Sequence, residues 1–185
     1  GADLDEISRI AKNPIIKGFT TNPTLMGQAN IANYREFALK VLKIVSDRPV
    51  SFEVFSDDFS EMEKQAGAIA EWGSNVYVKV PVTNTKGEFA GQLIRRLSRS
   101  GVKVNVTALM TPIQVAEVAS CLDFGTPSCI SVFAGRVADT GRDPIPLMKE
   151  CLEFVRRVPG CELIWASPRE LLNIFQADTM GCHII

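Results

Sequence analysis

Short apolar runs recur along the chain at intervals of roughly 25 to 35 residues, the length of one strand-plus-helix unit. They predict strands over 15–20, 50–55, 76–80, 102–107, 129–134, 162–166 and 182–185. Amphipathic stretches lie between them. Four open on helix-start signals: Asn22-Pro23, Ser60 with Glu63, Thr111-Pro112 with Gln114, and Ser167-Pro168 with Glu170. A capping side chain, a proline at the first helical position and a Glu or Gln three residues on satisfy the free N–H groups of a helix start. The stretch from Asp3 to Ala11 reads as a further helix at the N-terminus.

Alternating strand and helix argues for a parallel sheet, either open and doubly wound or closed as a barrel. The chain carries neither the G-x-G-x-x-G turn of a dinucleotide-binding open sheet nor a G-x-x-x-x-G-K-[ST] phosphate loop. Closure is therefore favoured, and the expected fold is an α/β protein of the (β/α)8 TIM-barrel type, as a single domain over 1–185. Such a barrel needs eight strands. The sequence offers seven, begins directly on a helix and ends inside a strand. The count leads us to expect an incomplete barrel, lacking the first strand and the C-terminal helices of a parent roughly 25 to 40 residues longer.

Composition narrows the class further. With 46% hydrophobic and 22% charged residues the chain reads as an ordinary globular protein. Twenty basic against 21 acidic residues, without a basic run, argue against a nucleic-acid partner. No stretch approaches the roughly 20 apolar residues that span a bilayer, and the first residues are not those of a signal peptide, so no membrane partner and a cytoplasmic location are expected. Cys121, Cys129, Cys151, Cys161 and Cys182 are widely spaced and read as free buried thiols. One histidine, His183, is too little for a zinc site at any local spacing, and no metal is expected.

Lys79 is the residue that calls for chemistry. It stands in Asn75-Val76-Tyr77-Val78-Lys79-Val80-Pro81, an apolar, β-branched run. A buried ammonium is costly, and a lysine that gives up its proton there is a carbonyl nucleophile. The alternative is an edge lysine whose head reaches water. Polar residues on the other strands bear on this choice. Glu53 lies in Ser51-Phe52-Glu53-Val54-Phe55, Asn105 and Thr107 share a face near the end of the fourth run, Ser131 and Phe133 share one on the fifth, and Thr20 and Asn22 end the first. Parallel barrels carry their chemistry at the C-terminal ends of their strands. Glu53 is suited to passing protons through a water held by Thr107, and the asparagines to binding hydroxyls without adding charge.

An anion site is the second expectation. Ser167-Pro168-Arg169-Glu170 opens a predicted helix, so free N–H groups, the Ser167 hydroxyl and the Arg169 guanidinium are expected to converge. Arg136, just past the Ser131 strand, is a second candidate. The alternatives are a plain capping box at Ser167, and Arg136 or Arg142 paired with Asp139 or Asp143.

In order along the chain stand Thr20-Thr21-Asn22-Pro23-Thr24, Glu53 in a Phe-Glu-Val strand, Val78-Lys79-Val80-Pro81, Asn105-Val106-Thr107, Ser131-Val132-Phe133-Ala134-Gly135-Arg136 and Ala166-Ser167-Pro168-Arg169. The ordered set resembles the transaldolase family of class I aldolase barrels, and in particular its small single-barrel members. The resemblance implies that Lys79 forms a Schiff base with a dihydroxyacetone unit and that Glu53 and Thr107 hold the catalytic water. It implies that Asn22, Asn105 and Ser131 bind substrate hydroxyls, and that Arg136, Ser167 and Arg169 bind phosphate. Sugar phosphates such as fructose 6-phosphate or sedoheptulose 7-phosphate are the implied partners, pentose phosphate metabolism the implied setting, and no metal or organic cofactor is implied.

The family's aldolase branch differs at two places, with glutamine where this chain has Glu53 and tyrosine where it has Phe133. Both residues are of the transaldolase type: a phenol can protonate the bound three-carbon unit for release as free dihydroxyacetone, and Phe133 cannot. The alternatives are a fructose-6-phosphate aldolase and a sugar-phosphate-binding barrel without turnover. The family's aspartate at the end of its first strand would fall before Gly1, so this chain is expected to form the Schiff base but cleave poorly. Small members assemble into rings through C-terminal helices, which implies a homo-oligomer for the full-length protein.

Overall fold

The computed structural model describes residues 2–22 and 33–185, so the expected helix start at Asn22-Pro23 runs outside the described residues. The chain divides into two compact units, Gly1–Lys79 and Val80–Ile185.

In the first unit, α1 (Leu4–Ala11), β1 (Phe19–Thr20), α2 (Tyr34–Ile44), β2 (Val50–Glu53) and α3 (Phe59–Ala70) alternate up to β3 (Val76–Pro81), whose residues to Lys79 belong here. The strands pair in parallel, Phe19 with Val50, and Val50 through Glu53 with Val76 through Lys79. Each helix begins on a side chain that accepts a free N–H: Asp3 from Glu6, Asn33 from Glu36 and Asp58 from Glu61. The cap of α3 is thus Asp58 and not Ser60. An extended Asp58, with a carboxylate acceptor, starts the helix two residues before the serine. Val41, Val45, Val50, Phe52, Ala66 and Val78 form a core with no exposure. Beside it Tyr34, Phe52, Phe55 and Trp72 meet edge to face, the preferred geometry of aromatic quadrupoles.

In the second unit, α4 (Gly91–Arg99), β4 (Val104–Leu109), α5 (Pro112–Ala119), β5 (Ser128–Val132), α6 (Ala134–Asp139), α7 (Pro144–Val155), β6 (Cys161–Trp165) and α8 (Leu172–Met180) follow the end of β3. Strands β4, β5 and β6 are parallel neighbours. The capping box expected at Thr111 and Gln114 is present. Strand β4 begins two residues later than expected: Gly101 takes a left-handed φ of 83° and the Val102 N–H bonds back to the Leu97 carbonyl, so these residues close α4. The run 182–185 forms only a single parallel bridge, Ile164 with Ile184.

The helix expected from Ser167 begins only at Leu172, without a side-chain cap. Ser167 instead adopts a left-handed φ of 58°, which turns the chain before a helix can start. The cysteines are unpaired, four buried and Cys182 half-buried, and burial pushes the Cys151 thiol up to about 12 and that of Cys161 to about 11. His183 Nδ1 accepts the Leu163 N–H at 3.0 Å, a structural use of the one imidazole.

Candidate active site

Glu53 and Lys79 are register partners on β2 and β3, so their side chains leave the same face. Lys79 Nζ donates to Glu53 Oε2 at 2.9 Å and to the Thr21 carbonyl, just past β1, at 3.2 Å. The two side chains keep only 11% and 18% of their exposure. This decides between the two readings of the lysine: its head is enclosed and held by acceptors. Desolvation opposes such a pair, but removing one partner would strand the other charge, which is the larger penalty. Asn22 lies half-buried one residue beyond Thr21.

Tyr34, which the sequence reading missed, braces the carboxylate-bearing strand. Its hydroxyl accepts the Glu53 N–H at 2.8 Å and donates to the Glu53 carbonyl at 3.1 Å. Burial pushes the phenol up to about 12, against hydrogen bonds with the Thr21 side chain and the Glu53 backbone that favour ionisation. A tyrosine on the first turn of a helix carries no local signal of that role.

In the second unit Asn105 is wholly buried and Ser131 nearly so, and Ser131 Oγ donates to Asn105 Oδ1 at 2.7 Å. The structure thus joins two of the expected hydroxyl-binding residues. Thr107, also buried, precedes Ala108, whose φ of 65° marks the bulge in the β4·β5 register between Val106 and Leu109. A non-glycine residue in that region is strained, and bulges re-aim side chains at the ends of strands.

The anion expectation is changed. The Arg169 and Glu170 N–H groups are not free, because both donate to Asn173 Oδ1, at 2.8 and 3.1 Å. Arg169 forms a two-pronged pair with Asp139, its Nε at 3.1 Å from Oδ1. Asp139 therefore pairs with Arg169 rather than with Arg136 or Arg142, and the guanidinium holds its carboxyl below the usual carboxylate range. Arg136 is exposed and lies over the Phe133 ring, 5.0 Å from its centroid. The sequence offers Asp139 only to Arg136 or Arg142, because its true partner stands 30 residues on, and it gives Asn173 no role although that side chain bonds backbone groups just three and four residues back. A cavity of about 260 Å³ lined by Arg95, Arg99, Cys121 and Phe124 contains none of the expected site residues.

The model of the Transaldolase/Fructose-6-phosphate aldolase family matches residues 1–185. The chain belongs to that family. It is 36% identical over 185 residues to a probable transaldolase of Streptococcus agalactiae, covering 99% of this chain and 81% of that protein. A probable transaldolase of Dehalococcoides mccartyi is 32% identical over 184 residues, with 99% and 82% covered. Among solved structures, dihydrodipicolinate synthase from Rhodopseudomonas palustris superposes with a TM-score of 0.58 at 14% identity. The overlap covers 98% of this chain and 63% of that one, so the chain spans under two thirds of that structure. With the parallel strand–helix alternation of both units, this assigns the family member to the (β/α)8 barrel class expected from its sequence. Among the described residues no helix is long and apolar enough to cross a membrane.

Proposed function

We propose that this member of the transaldolase/fructose-6-phosphate aldolase family is a transaldolase working through a Schiff base on Lys79. The observation that carries the reading is the enclosed Lys79 Nζ, 2.9 Å from Glu53 Oε2 at the ends of parallel strands. The ammonium must lose a proton to attack, and Glu53 is within reach to take it. The amine adds to the ketose carbonyl, and the carbinolamine loses water to give the iminium. Cleavage of the C3–C4 bond, with the C4 hydroxyl giving its proton to water, releases an aldose phosphate and leaves the bond's electron pair on the bound dihydroxyacetone as an enamine. The enamine adds to an acceptor aldehyde, and hydrolysis frees the new ketose phosphate and the amine.

In this reading Glu53 and Thr107 hold the water of the dehydration and hydrolysis steps, while Asn22, Asn105 and Ser131 bind sugar hydroxyls. Arg136, Ser167 and Arg169 take the phosphate, for which Arg169 exchanges its bond to Asp139. Transfer is favoured over release because Phe133 has no proton to give to the enamine.

The test is peptide mass spectrometry after incubation with fructose 6-phosphate and borohydride. A reduced three-carbon adduct on Lys79 supports the whole reading, and a six-carbon adduct supports the Schiff base without cleavage. No adduct on folded protein, with sugar-phosphate binding intact in Lys79→Arg, would favour a binding barrel. Free dihydroxyacetone released rapidly without an acceptor would favour the aldolase.

A further inference from the structure

The hydrogen-bond ladder between β1 and β2 stops one rung early, and the place where it stops is the lysine. The Phe19 N–H donates to the Pro49 carbonyl at 2.9 Å and the Thr21 N–H to the Ser51 carbonyl at 3.0 Å. In a parallel ladder each such residue bonds the two residues flanking its partner, so the following rung would run from the Glu53 N–H to the Thr21 carbonyl. The Glu53 N–H donates instead to Tyr34 Oη at 2.8 Å. The Thr21 carbonyl accepts from Lys79 Nζ at 3.2 Å.

We propose that Tyr34 is a positioning residue for Lys79: by taking up the Glu53 N–H it ends the ladder and releases the Thr21 carbonyl to the amine. A buried N–H must find an acceptor, and without the phenol the nearest one in the strand pattern is that carbonyl. The ring is held by edge-to-face contacts with Phe55 at 4.7 Å and Trp72 at 5.2 Å, so the hydroxyl is delivered by packing. The carbonyl and the carboxylate are the two acceptors that hold the amine, and loss of one leaves it less restrained. The inference deepens the Schiff-base reading and rests on it for its catalytic meaning, but the hydrogen-bond exchange can be tested without any sugar.

The experiment is reductive methylation with formaldehyde and cyanoborohydride at one fixed pH, read at Lys79 by peptide mass spectrometry, with exposed Lys40 and Lys64 as internal controls. Tyr34→Phe keeps the ring and removes the hydroxyl. The Lys79 labelling rate is expected to rise several-fold relative to the controls, because the amine loses an acceptor that holds it. An unchanged Lys79 rate in folded Tyr34→Phe overturns the proposal. Should that variant not fold, the unsubstituted protein decides: NMR coupling across a hydrogen bond from the Glu53 amide nitrogen to the Thr21 carbonyl carbon should be absent, and its presence overturns the proposal. A raised rate with no borohydride adduct would leave the positioning intact and reject the transaldolase reading; an adduct with an unchanged rate would do the reverse.

Discussion

A Cβ placed on Gly135 would lie 1.6 Å from the carbonyl oxygen of Ser167, a distance no side chain tolerates. The two residues belong to the segments that leave β5 and β6, and the Gly135 N–H reaches the neighbouring Ala166 carbonyl at 3.4 Å. Ser167 meets this approach with its left-handed backbone. The glycine is therefore required by close contact, and it sets the spacing of the segments bearing Arg136 and Arg169.

Gly135→Ala should cost about 3 kcal/mol or more, because the obstacle is backbone and cannot rotate away. Urea denaturation measures it. A midpoint shift worth less than about 1 kcal/mol would mean the two segments separate easily.

Glu53→Gln leaves the Lys79 charge enclosed with only the Thr21 carbonyl and a neutral amide. It should lose roughly 1–3 kcal/mol of stability near neutral pH, less than a fully buried pair because both side chains keep some exposure. Equal urea midpoints for the two proteins would show that the pair contributes nothing net.

Phe133→Tyr adds a proton donor at the position to which the proposed function assigns the choice between transfer and release. With fructose 6-phosphate and no acceptor, the rate of free dihydroxyacetone formation should rise several-fold over the parent, by the size of a single general-acid contribution or less. A coupled assay for dihydroxyacetone reads it, and an unchanged rate argues against a role for the ring.

Asp139→Asn removes the carboxylate that occupies Arg169. Inorganic phosphate should then protect the protein against thermal unfolding at several-fold lower concentration, since the guanidinium need not exchange a charged partner. Weaker protection would show that Asp139 orients Arg169 rather than competing with the ligand.

Alkaline pH should weaken the fold. Burial raises Cys151 from 9.0 to about 12, Cys161 from 9.0 to about 11 and Tyr34 from 10.0 to about 12. Above the ordinary values the unfolded chain sheds these protons and the folded chain keeps them. Stability is therefore fully present below about pH 9 and falls as pH rises toward about 11 to 12. Urea midpoints at increasing pH should show the decline, and Cys151→Ala should flatten it; a level curve would contradict the burial of these groups.

By itself the sequence determined which elements form and which side chains carry the candidate chemistry. Apolar runs at strand length and the Thr111–Gln114 capping box are local signals, because periodicity and caps act within a few residues. The pairing of Glu53 with Lys79, the Ser131–Asn105 bond, the Tyr34 brace and the capture of Arg169 by Asp139 join residues 19 to 30 apart and leave no local trace. The local rules also failed at specific places. Ser167 has every mark of a helix cap, yet the contact with Gly135 and the left-handed turn delay the helix to Leu172. Tertiary structure decided these points because polar groups of side chain and backbone alike take the best partner that packing brings to them, whatever the chain distance.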